Sequence, residues 1–158
     1  MAWSKEGTDT LSIDGDVLTV FPSKKFLMTM EHILPTGSAG MNIGFNNVIT
    51  GSTYAQRYNG NGGTDGTQLN IAYMTQEWSP TKLDRFLVSY VINIATEEKL
   101  RMFWSVWNEA TGAGTAPGRS EFVQKSSNTS VAITEWDCTN IAAGSYLADT
   151  NLTILGSD

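Results

Sequence analysis

Apolar and polar side chains alternate over short segments of this chain, and clusters of Gly, Asn, Asp, Ser and Pro separate one segment from the next. A period of two residues puts successive side chains on opposite faces of an extended backbone, so the pattern predicts strands joined by turns. Residues 11–13 and 16–21 flank Asp14-Gly15, a dipeptide that accepts the positive φ angles of a tight hairpin turn. A strand is predicted at 25–34, broken by the Pro- and Gly-containing stretch 35–40. Another is predicted at 41–47, with Ile43 and Phe45 on one side and Asn42, Gly44 and Asn46 on the other. Residues 54–58 and 69–75 lie on either side of the glycine-rich stretch 59–67. The longest regular segment is 85–95, where Phe86, Val88, Tyr90, Ile92 and Ile94 form the expected core face and Leu87 and Val91 make the opposite face partly apolar. Further strands fit 120–125, 131–138 and 152–155.

Residues 100–107 fit two periods. Leu100, Phe103, Trp104 and Trp107 match a helical stripe, whereas an extended chain places Leu100, Met102, Trp104 and Val106 on one face and Arg101, Phe103, Ser105 and Trp107 on the other. The aromatic and β-branched content favours the strand, entered through a turn at Thr96-Glu97-Glu98. The expectation is an all-β fold, a single antiparallel β-sandwich over residues 1–158 with about ten strands.

Composition sharpens this picture. Charged residues are only 16% of the chain, against about 25% in an average soluble domain, while Gly, Ser, Thr and Asn together supply more than a third of it. Those small polar residues disfavour helix interiors and suit turns. The net charge of −6 provides no basic footprint for phosphates, so nucleic acid is not an expected partner. The first twenty residues carry polar and acidic side chains throughout, and no apolar run is long enough to span a bilayer. The chain is therefore expected to fold in a cytoplasm without a signal peptide or a membrane span. Cys138 is the sole cysteine, so neither an internal disulfide nor a zinc pattern is expected.

Candidate chemistry is sparse. The single histidine, His32, follows Glu31, but alternation places the two on opposite faces, which leaves no catalytic pair. Asp9, Asp14 and Asp16 lack the spacing of a calcium loop. No metal and no cofactor is expected, and the chain reads as non-enzymatic. The stretch 59–67 lacks the third glycine of a dinucleotide fingerprint and no Gly-Lys-Ser/Thr follows it. It reads as a connecting loop, with Asn59, Asn61 and Asp65 as a polar edge for a sugar or a neighbouring subunit. Of the five tryptophans, Trp104 and Trp136 are expected to fill core. Phe103 and Trp107, with Leu87 and Val91, are the candidates for a contact surface, because they lie on the second faces of their strands.

Phe45-Asn46-Asn47, the run from Tyr54 through Tyr58, the Asn-Gly-Gly-Thr-Asp loop and the segment from Val91 to Leu100 resemble small jelly-roll proteins of bacterial and archaeal viruses. The ending from Gly144-Ser145 through Leu152 to Gly156 is similar to the last strand of many phage structural proteins. The resemblance implies a jelly-roll-like virion component, either a capsid or decoration protein or a tail-associated subunit. Its partners would be copies of itself and other virion proteins, and it transfers no catalytic or binding residues. The alternative function is a carbohydrate-binding module for attachment to a host glycan.

Overall fold

Lys99–Trp107 is extended along its whole length, paired antiparallel with Arg85–Ile92 on one side and Gly118–Ser126 on the other. The computed structural model describes residues 2–10, 17–36, 39–79, 84–140 and 145–158. Among them every regular element is a strand: β1 Ser4–Thr10, β2 Val17–Val20, β3 Phe26–Ile33, β4 Pro35–Thr36, β5 Ala39–Phe45, β6 Tyr54–Gly60, β7 Gly66–Ile71, β8 Met74–Ser79, β9 Arg85–Ile92, β10 Lys99–Trp107, β11 Gly118–Ser126, β12 Glu135–Asn140, β13 Ser145–Tyr146 and β14 Asn151–Ser157.

The strands form an 8-stranded sheet in the order β1-β14-β3-β9-β10-β11-β6-β7 and a 4-stranded sheet in the order β2-β12-β5-β8, with β13 and β4 as a small separate pair. The pairing is nested. β6 pairs with β7, β5 with β8 outside them, then β3 with β9, β2 with β12, and β1 with β14. Successive levels of the nest fall alternately in the larger and the smaller sheet, as in an antiparallel ribbon rolled up on itself. β10 and β11 continue β9 as a meander and widen the larger sheet between β9 and β6.

The sheets face each other across one core. Leu27, Leu87, Phe103 and Ile154 come from the larger sheet, and Ile43, Met74 and Trp136 from the smaller. The Phe45 ring packs on Trp136 and Tyr54, with centroids 5.0 and 6.1 Å apart. The Tyr54 hydroxyl donates to Val48 O at 2.7 Å and accepts from Phe45 N at 2.9 Å. Two asparagines stitch the ends. Asn93 Nδ2 donates to Lys24 O and Ile133 O at 2.8 and 2.9 Å. Asn46, at φ 54, accepts from Thr134 N and Glu135 N at 2.9 and 3.1 Å; the left-handed conformation is one that asparagine tolerates.

Three expectations need correction. The segment expected to be one strand at 69–75 breaks at Ala72-Tyr73, so that β7 and β8 belong to different sheets. The strand expected from 131 begins at Glu135. β9 is turned over relative to its expected facing: Leu87 and Val91 are buried, and Phe86, Tyr90 and Ile92 are exposed. β10 follows suit, with Phe103 in the core and Trp104 outside. The reason lies in the inner row, where polar side chains find partners instead of water. Ser89 shares a hydrogen bond with Thr29 of β3, and Asn93 is held as described above. The Asp14-Gly15 hairpin lies outside the described residues, and β2, which follows it, pairs with β12.

Candidate functional site

The inner face of the larger sheet is stitched by a polar row. Glu31 lies 3.6 Å from Arg101 Nη2, Arg101 Nη1 donates to Gln124 Oε1 at 2.9 Å, Gln124 Nε2 donates to Gln56 Oε1 at 2.9 Å, and Gln56 donates to Gln68. From Arg101 to Gln68 these side chains are direct cross-strand partners in the register of β10, β11, β6 and β7. The Arg101 guanidinium also lies over the rings of Phe103 and Trp136, 4.4 and 4.9 Å from their centroids. Burial pushes it down to about 10, against the pull of Glu31. Burial likewise pushes the Cys138 thiol well up, reinforced by the charge of Glu31, which keeps it protonated and inert.

With this polar row held inside, the apolar residues of the same strands are left outside. The outward positions of β9 and β10 are Phe86, Val88, Tyr90 and Ile92, and Leu100, Met102, Trp104 and Val106, without a charge among them. Phe26, Met28 and Met30 of β3 lie on the same side by register, and Val123 of β11 continues the face. Eight of these side chains are 40–52% exposed. Together they expose on the order of 800 Å² of surface, more than the roughly 300–600 Å² of the largest patch on a typical monomer. Trp3 stands at the edge, and with Phe26, Tyr90, Ile92, Leu100 and Met102 it lines a groove of about 480 Å³ across the face. Tyr90 and Trp104 meet edge to face at 6.3 Å.

This surface is bordered by charges of both signs. Arg119, Glu121 and Lys125 are the other outward residues of β11, with Arg119 3.9 Å from Glu121 and Lys125 2.9 Å from Glu98. His32, at the end of β3, is exposed, opposite to buried Glu31. The face can bury apolar area, and the outward residues of β9 and β10 carry no charge, while His32 of β3 stands beside Phe86 on the same side. Among the described residues no three His, Cys, Asp or Glu side chains come together as a metal site, and no helix is long and apolar enough to cross a membrane.

The residues singled out in the sequence fall in three places. Leu87, Val91 and Phe103 are core, which corrects their assignment to a contact surface: the sheet offers an apolar surface, but on the face one residue out of step. Trp107 is half-buried at the end of β10, its Nε1 donating to Glu109 Oε1 at 2.8 Å and the Arg85 guanidinium 5.2 Å from its ring. Asn59, Asn61 and Asp65 sit in and beside the β6–β7 loop, away from the apolar face. Asn59 Nδ2 donates to Gly63 O and to Asp65 Oδ1, and Arg57 reaches Asp65 at 3.5 Å. Asn61, at φ 50, exchanges hydrogen bonds with Arg119, its N donating to Arg119 O and its Oδ1 accepting from Arg119 N. The sequence signal for the true outer face was the uninterrupted apolar alternation of β9 and β10, assigned to the wrong side. In comparisons with known proteins, no family model, curated protein or solved structure matches this chain.

Proposed function

We propose that this chain is a non-enzymatic structural subunit of a virus particle, which assembles with copies of itself through the outer face of the 8-stranded sheet. The observation that carries the reading is the apolar surface on β3, β9 and β10. Its area, about 800 Å², equals one side of a standard protein interface, and a row of side chains at strand spacing is complementary in shape to another sheet packed about 10 Å away. The border favours a second copy over an anionic membrane: Arg119, Glu121 and Lys125 carry both signs, so two copies can match charges where a basic rim would be needed for lipid headgroups.

The nested pairing, alternating between sheets, supports a jelly-roll plan, an architecture used by capsid proteins and by lectins. A net charge of −6 argues for a position away from the genome. Sedimentation of the full chain across a range of concentrations tests the assembly. Dimers or larger species are expected, and a strict monomer at high concentration would overturn it. Mass spectrometry of purified particles tests the virion assignment separately, since a self-associating protein absent from particles would keep the interface and lose the virus.

A further inference from the structure

The larger sheet has twice as many strands as the smaller, so part of its inner face lies beyond the core. There, across the ends of β10, β11, β6 and β7, a cleft of about 420 Å³ opens, lined by Gln56, Tyr58, Gln68, Trp107, Ser120 and Phe122. The size is within the roughly 300–1,000 Å³ of small-ligand pockets.

Its aromatic wall is built by register. Phe103, Phe122 and Tyr58 are direct cross-strand partners, and their rings stack at 4.4 and 5.5 Å with interplanar angles of 9° and 21°. Phe103 anchors the stack in the core, and Tyr58, half-buried, ends it at the cleft. The next partner after Tyr58 is Gly66, and the partner of Trp107 is Gly118. At both glycines a Cβ would fall under 3.0 Å from the facing ring, so each ring lies against bare backbone where any other residue would displace it.

The polar lining is equally fixed. Gln56 and Gln68 are the outer end of the row that begins at Glu31, which orients their amides from the core outward. Ser120 is only 8% exposed, and its Oγ is buried with no hydrogen-bond partner. That oxygen has no solvent access, so Ser120 backs the wall, and the amide that faces the open cleft is that of exposed Gln68. None of the residues lining the cleft carries a charge.

We propose that this cleft binds a short neutral saccharide, with the apolar face of a pyranose on the Tyr58, Phe122 and Trp107 wall and a hydroxyl bonded to the amide of Gln68. Aromatic side chains offer the flat apolar area, an amide held at the end of the glutamine row fixes orientation, and the uncharged lining disfavours sialylated, sulfated or phosphorylated ligands. The cleft opens on the face opposite to the assembly surface, so an assembled particle would display many copies and convert weak single-site binding into avidity.

The test is an array of neutral hexose and N-acetylhexosamine oligosaccharides, with sialylated and sulfated glycans as a counter-set, probed with the full chain. The best neutral glycan is then titrated against wild type, Gln68→Ala and Trp107→Ala. Retention of a neutral glycan is expected, with affinity at least tenfold weaker in both variants and Gln68→Ala still folded, with one cooperative unfolding transition. Binding of charged glycans only, retention of none, or equal affinity in Gln68→Ala and wild type would overturn the proposal. Trp104→Asp, on the other face, should leave the per-subunit affinity unaltered, so this result and the assembly result stand or fall separately.

Discussion

Arg101 donates to Gln124 Oε1 at 2.9 Å inside the sandwich, and this bond joins a buried ion pair to the amide row that ends in the cleft. Removing one member of a buried pair leaves an uncompensated charge, a loss of about 3–5 kcal/mol, whereas replacing both by apolar groups of similar volume is often neutral. Glu31→Ala should therefore destabilise strongly, while the double variant Glu31→Leu with Arg101→Met should recover much of the loss. Urea unfolding of the singles and the double measures the coupling, and additive effects would show that the pair does not act as a unit.

Adjacent residues Phe103 and Trp104 should respond oppositely to substitution. Phe103 is fully buried and Trp104 is exposed. Phe103→Ala is expected to cost about 3–5 kcal/mol of unfolding free energy through cavity formation. Trp104→Asp should leave unfolding of the monomer within about 0.5 kcal/mol of wild type but abolish self-association by placing a desolvated charge in the interface. Sedimentation together with denaturant curves separates the two effects.

Gly118→Ala tests the bare backbone under Trp107. The new Cβ would fall under 3.0 Å from the indole, so the ring must tip away, at a cost of about 1–3 kcal/mol for overpacking. The Trp107 indole N–H, bonded to Glu109 Oε1 at 2.8 Å, gives a resonance that should shift, and saccharide affinity should fall with it. An unmoved indole signal would mean that the ring does not depend on this glycine.

Alkaline pH should destabilise the fold through Tyr54. Burial raises its hydroxyl to about 12 from an ordinary value of 10.0. Below pH 10 the proton is bound in both states and the stabilisation is whole. Between pH 10 and about 12 the unfolded chain ionises while the folded one does not, so stability falls by about 1.4 kcal/mol per pH unit. Tyr146 is also raised by burial and adds to the loss as pH climbs. Unfolding midpoints at pH 8, 9.5 and 11 should decline over the last interval, and less steeply in Tyr54→Phe.

Strand positions were largely legible in the sequence, because period-two alternation and turn residues are local properties. β3, β6, β9, β10 and β11 lie close to where the pattern puts them, and the aromatic and β-branched residues of 100–107 form a strand. Boundaries failed where tertiary pairing took over. Residues 69–75 read as one alternating run, yet Tyr54 and Gln56 take up Ile71 and Gln68, and Ile43 takes up Met74, so the run is divided between two sheets.

The cleft was not visible in the sequence, because its members come from separate strands and meet only through register. Ser120 and Gln68 gave no signal at all, since a serine or glutamine acquires meaning only from what surrounds it.

Local pattern was enough to establish that this chain is all-β, that its strands are short, and that its middle strands are apolar on one side and partly apolar on the other. It could not determine which side of those strands faces inward. Alternation orients a strand when one face is polar and must meet water. In β9 and β10 the more apolar face is outside, because Glu31, Arg101, Gln124 and Gln56 find partners only when four strands align in register. That alignment, a property of the folded sheet alone, turned the expected core into a surface and the expected contact residues into the core.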